Sequence, residues 1–115
     1  VLYLSLSIAP SKAHANEVDV VDVKVHKSSA GSYRFDVTLR HKDTGWDHYA
    51  NAWEVLSPDG KLLAKRVLYH PHVNEQPFTR SLSGVKIPGN IKEVTIRGHD
   101  LVHKFGGRAI TVELP

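Results

Sequence analysis

The chain has 115 residues, enough for one domain with its own core but not for two. Its 15 Lys and Arg stand against 12 Asp and Glu with no basic run longer than two, so no nucleic-acid footprint is present. With no Cys, a disulfide framework, a Cys-type zinc site and a blue-copper thiolate are excluded, and with no Met a Met-rich Cu(I) site is too.

Residues 1–15, VLYLSLSIAPSKAHA, read as the end of a secretory signal peptide. An apolar run from Val1 to Ala9 precedes Ala13-His14-Ala15, the small-x-small pattern that signal peptidase cuts. That run is shorter than the roughly 20 apolar residues a bilayer span needs. The expectation is an exported protein, secreted or periplasmic, whose mature domain is residues 16–115 and has no membrane span. Cleavage after Ala13 would instead leave His14 first, as a copper-binding N-terminus.

The rest alternates with period two, the signature of half-buried strands. Val21, Val23 and Val25 alternate with Asp22, Lys24 and His26, and Tyr33, Phe35, Val37 and Leu39 with Arg34, Asp36, Thr38 and Arg40. A third strand is predicted over 49–56, carrying Trp53, and a fourth over 61–69 after the turn signal Ser57-Pro58-Asp59-Gly60. Three more are expected over 78–85, 91–97 and 109–114. Seven short strands separated by turn signals predict an all-β fold, a seven-stranded antiparallel immunoglobulin-like β-sandwich.

If the strands run alternately up and down, loops 41–48, 70–77 and 98–107 share one end of the sandwich. They carry His41, His48, His70, His72, His99 and His103, out of 8 histidines in the chain. His26, on the polar face of the first strand, is the exception in the mature region. Imidazoles gathered on three loops of a rigid scaffold are what a transition metal requires: Zn, Cu(II) or Fe takes neutral imidazole nitrogen readily. Asp43, Asp47, Glu75 and Asp100 lie in the same loops, as ligands or as partners that orient a ligating ring. Calcium prefers oxygen ligands and fits poorly.

Each piece also has a plainer interpretation. His70-Pro71-His72 is either a ligand pair or a strand end with exposed rings. His99 and His103 converge if their loop makes one helical turn, and otherwise decorate a loop that ends in Gly106-Gly107. His41 continues the inward parity of Leu39, so it is a ligand or a hydrogen-bonded core histidine. His48 is a ligand or part of an aromatic shelf with Trp46 and Tyr49.

The order His41, a short loop, His48-Tyr49, Trp53-Glu54 and an Asp59-Gly60-Lys61 turn resembles the iron-binding domain of desulfoferrodoxins and neelaredoxins, the superoxide reductases. The likeness covers about Arg40 to Leu114. It implies an immunoglobulin-like sandwich with a mononuclear iron site in which His41, His48 and His103 are equatorial ligands. Asp100 stands where that family has its cysteine ligand, and no residue clearly matches its N-terminal histidine ligand.

The function expected is therefore an exported protein that binds a transition metal ion (Fe, Cu(II) or Zn) at a site drawn from His41, His48, His70, His72, His99, His103 and Asp100. One alternative is a periplasmic interaction or assembly module with a protein partner. Another is an enzyme with superoxide reductase-like chemistry at a modified site. No nucleophile–base arrangement or glycine-rich phosphate loop is present; Ser81 and Ser83 lie in a strand. Because imidazoles bind metal only when neutral, affinity is expected to fall below about pH 6.5.

Overall fold

The computed structural model describes residues 16–115. The signal-peptide reading of residues 1–15, including His14, lies outside the described residues.

Alternation along the chain becomes alternation across a sheet. In β2 (Ser32–Arg40), Tyr33, Phe35, Val37 and Leu39 are buried while Arg34 and Arg40 are exposed. β1 (Asp19–Ser29) pairs with it antiparallel through a tight turn where Gly31 takes a φ of 75°, a backbone angle that glycine adopts without steric cost. β3 (Ala50–Leu56), β4 (Leu62–Val67), β5 (Phe78–Lys86), β6 (Glu93–Asp100) and β7 (Ile110–Glu113) complete the set. All seven expected strands are present. They form two antiparallel sheets, one in the order β1-β2-β5 and the other β4-β3-β6-β7. Among the described residues no helix is long and apolar enough to cross a membrane.

The core lies between the sheets. Phe35, Val37 and Leu39 from one sheet and Trp53, Val55 and Ile96 from the other are each fully shielded from solvent. Burying each such side chain is worth about 1.5–3 kcal/mol. Gly98, paired with Trp53 across the β3–β6 ladder, leaves room for Val18, whose side chain a Cβ there would overlap.

Strand order decides which loops meet. At one end, the Ile87 amide donates to the Gly31 carbonyl (3.0 Å), joining the β1–β2 turn to the chain after β5. At the other, the Asn16 side chain is bonded to the Lys42 backbone at both N and O, and the Leu101 amide donates to the Tyr49 carbonyl. The His72 amide donates to Asp43 Oδ2 (2.7 Å). Loops β2–β3, β4–β5 and β6–β7 thus share one end with the start of β1. β6 runs to Asp100 rather than stopping at the expected Arg97, because His99 and Asp100 remain in register with Ala52 and Ala50 of β3. His99 and Asp100 are consequently strand residues, and successive strand residues face opposite sides of the sheet.

Candidate metal centre

His41 leaves β2 with the inward parity of Leu39 and is only 2% exposed. Its Nδ1 lies 2.5 Å from Asp43 Oδ1, and neither side chain reaches solvent. Asp43 also accepts the Ala50 amide at Oδ1 and the His72 amide at Oδ2. Burial pushes the Asp43 carboxyl up, but the hydrogen bonds from His41, His72 and Ala50 outweigh it and hold the group below its ordinary value. An ionised Asp43 fixes the proton of His41 on Nδ1. The lone pair is then on Nε2, and Nε2 is buried with no hydrogen-bond partner.

His48 is presented by a tight turn in which its carbonyl accepts the Thr44 amide and its amide donates to the Gly45 carbonyl. The turn sets its ring edge-on to His41, 4.8 Å between centroids. Asp100 closes β6. Its Oδ1 accepts the amides of Val102 (2.8 Å) and His103 (2.6 Å), so this oxygen is committed to shaping the turn. Its Oδ2 is buried without a partner, 3.5 Å from His41 Nε2.

His41, His48 and Asp100 each offer one ligand atom, all within 4.8 Å of one another. Ligands at 2.0–2.1 Å from a tetrahedral zinc lie about 3.4 Å apart, so the His41–Asp100 separation is already at metal-bridged spacing. His103 stands beside them, its ring 5.0 Å from that of His48 and its Nδ1 3.5 Å from Asp100 Oδ1. His41 Nε2, His48 Nε2, His103 Nδ1 and Asp100 Oδ2 are all buried without a hydrogen-bond partner. A buried polar atom left unpaired costs about 1–3 kcal/mol. Unpaired atoms of Trp53 and His72 occur singly; these four occur together, and one cation could satisfy those of His41, His48 and Asp100 at once.

The remaining histidines named from the sequence stand apart from this group. His72 stacks on Phe78 (4.0 Å, 11°), and its Nε2 accepts from Arg80 Nη2 at 2.8 Å. That donor puts the ring proton on Nδ1, so neither nitrogen is free for a metal while Arg80 stays. Burial, then the charge of Arg80, lowers its pKa. The exposed His70 donates from Nδ1 to its neighbour's carbonyl, that of Pro71, and packs against His72. His99 donates from Nδ1 to Asn51 Oδ1 (2.6 Å) and lies edge-on to Phe105, on the opposite face of β6 from Asp100. Burial, then the nearby Lys104, lowers its pKa. Asp47 is exposed, and Glu75 pairs with Arg80. Sequence reasoning did not reach Gln76, which accepts the His41 amide and donates to the His72 carbonyl. A single glutamine in a loop gives no signal of that bridge.

No family model and no solved structure matches the chain. Over 103 residues it is 39% identical to a protein of Halomicrobium mukohataei described as "Putative lipoprotein". The alignment takes in 90% of this chain and 50% of that protein, so the chain spans about half the length of the curated relative it matches.

Proposed function

We propose that this is an exported protein whose domain, residues 16–115, binds one transition-metal ion through His41 Nε2, His48 Nε2 and Asp100 Oδ2. Asp43 orients His41 from behind. The observation that carries this is the convergence of unpaired, buried donor atoms from the β2–β3 loop and the end of β6. Two imidazoles and one carboxylate suit Zn, Fe(II) or Cu(II) and suit calcium poorly. Export is supported by the lipoprotein description of the relative and by the small-x-small pattern at Ala13 to Ala15.

The strand order supports reading the scaffold as immunoglobulin-like. The four positions singled out by the desulfoferrodoxin likeness, His41, His48, Asp100 and His103, are the four that cluster. No comparison bears out that likeness, and the carboxylate at Asp100 is a different donor from a thiolate. Sequestration or delivery of the ion is the role we assign.

Titration of metal-free protein with Zn(II), followed by native mass spectrometry, tests the proposal. One ion per chain is expected for the wild type and a loss of stoichiometric binding for His48→Ala. Undiminished one-to-one binding by His48→Ala overturns it.

A further inference from the structure

We propose that the end of the fold formed by loops 41–49, 68–77 and 101–109 docks on an anionic lipid bilayer, with the rings of Trp46 and Tyr69 entering its headgroup layer. This surface is independent of the metal site and stands whether or not an ion is bound.

The exposed apolar side chains are unevenly distributed. Trp46 is 66% exposed, Tyr69 74%, Val73 53% and Val102 55%, and all four lie in those three loops. Among the described residues, the other large apolar side chains left exposed are Leu62 and Val67, on the edge strand β4. The turns at the opposite end, 30–31, 57–61 and 87–92, expose none. Named contacts join the three loops: the Leu101 amide donates to the Tyr49 carbonyl, the His72 amide donates to Asp43, and the Trp46 ring stands edge-on to Tyr49 at 5.7 Å. Large rings held in water on one end of a domain cost free energy that docking recovers.

Three observations select a bilayer as the occupant. Polar residues separate the apolar ones: Asp47 follows Trp46, His70 follows Tyr69 and His103 follows Val102. A protein partner packs against a continuous apolar centre. A headgroup layer instead accepts single amphipathic rings among polar neighbours, and Trp and Tyr are the residues enriched there. Charge also fits anionic headgroups. Lys42, Lys104 and Arg108 are exposed in the same loops against Asp47 and Glu75, and Glu75 is already paired with Arg80 at 3.5 Å. Finally, Asn16, where the described chain begins, is tied to Lys42 at this end. The apolar run Val1 to Ala9 that precedes it in the sequence therefore joins the domain on the same side, and a bilayer that takes up that run faces these loops.

Vesicles of phosphatidylglycerol with brominated acyl chains, added to the metal-free full chain, test this through tryptophan emission. Trp53 is fully buried in the core, so a change reads Trp46. A blue shift with quenching is expected, and Trp46→Phe should abolish it. Co-sedimentation with unbrominated vesicles should weaken about tenfold when Trp46→Ser and Tyr69→Ser are combined, since two rings no longer leave water. Lys42→Gln should weaken it about fivefold, the value of one cation near an anionic surface. Bound protein whose tryptophan emission is unaltered overturns the proposal, because the N-terminal run alone would then hold the chain. Absence of co-sedimentation, undiminished binding by the double variant, or equal binding to phosphatidylcholine vesicles also overturns it. Self-association that Trp46→Ser abolishes, without vesicle binding, would give the surface to a second copy and overturn it as well.

Discussion

The Nδ1 of His41 and the Oδ1 of Asp43 face each other at 2.5 Å, with both side chains wholly excluded from solvent. This pair sets which nitrogen of His41 is available, and it ties the site to the start of β3 and to the β4–β5 loop through the Ala50 and His72 amides. Asp43→Asn should lower metal affinity about 10–100-fold, the usual effect of losing the partner of a ligating histidine. It should also destabilise the fold by about 1–3 kcal/mol, since an amide NH₂ cannot accept the hydrogen bonds that both carboxylate oxygens accept. Competition titration against a chelator and urea denaturation measure the two effects separately.

Asp100 offers the opposite balance. Asp100→Asn preserves an acceptor for the Val102 and His103 amides and replaces an unpaired buried oxygen with a neutral NH₂ that cannot ligate. Metal-free Asp100→Asn should be at least as stable as the metal-free wild type, yet gain nothing from metal. The wild type should gain about 2.7 kcal/mol at a free metal concentration of 100 times Kd. Thermal unfolding with and without Zn(II) reads both. An Asp100→Asn protein that metal still stabilises would exclude Asp100 as a ligand.

His72 supplies a pH dependence independent of the metal. Its folded-state pKa is lowered from 6.5, by burial first and then by Arg80, while the unfolded chain keeps the ordinary value. Below that value the unfolded chain takes up the proton first, so stability falls as pH drops through 6.5 and levels off below the folded value. His72→Phe retains the stack on Phe78 and carries no titrating group, so the fall should be shallower. Urea midpoints across this range for the two proteins, compared without metal, check the difference.

Gly107 tests how β1 is held to the site end. A Cβ there would overlap the backbone carbonyl of Val18, next to the bond from the Val20 amide to the Arg108 carbonyl (2.8 Å). Backbone cannot swing aside as a side-chain tip does. Gly107→Ala should therefore cost about 1–3 kcal/mol, measured by denaturant unfolding.

Much of the scaffold was legible because its cause is local. Tyr33, Phe35, Val37 and Leu39 must share a face in any extended conformation, and strand direction alone brings loops β2–β3, β4–β5 and β6–β7 to one end. Which histidines enter the site was not legible, because it depends on which ring nitrogens are already taken. His72 is removed by Arg80 on its Nε2, and His99 by its place on the face of β6 opposite Asp100, which the β3–β6 register sets. The extension of β6 to Asp100 has the same origin. It is fixed by backbone partners in β3, and the polar side chains of His99 and Asp100 gave no sign of it.

The central claim concerns where an ion sits, and anomalous diffraction from crystals grown with Zn(II) locates it directly. One ion is expected at about 2.0–2.1 Å from His41 Nε2, His48 Nε2 and Asp100 Oδ2, with Asp43 still bonded to His41 Nδ1. Zinc bound instead at His70 and His72, or no ordered zinc at the His41–Asp100 cluster, would contradict it.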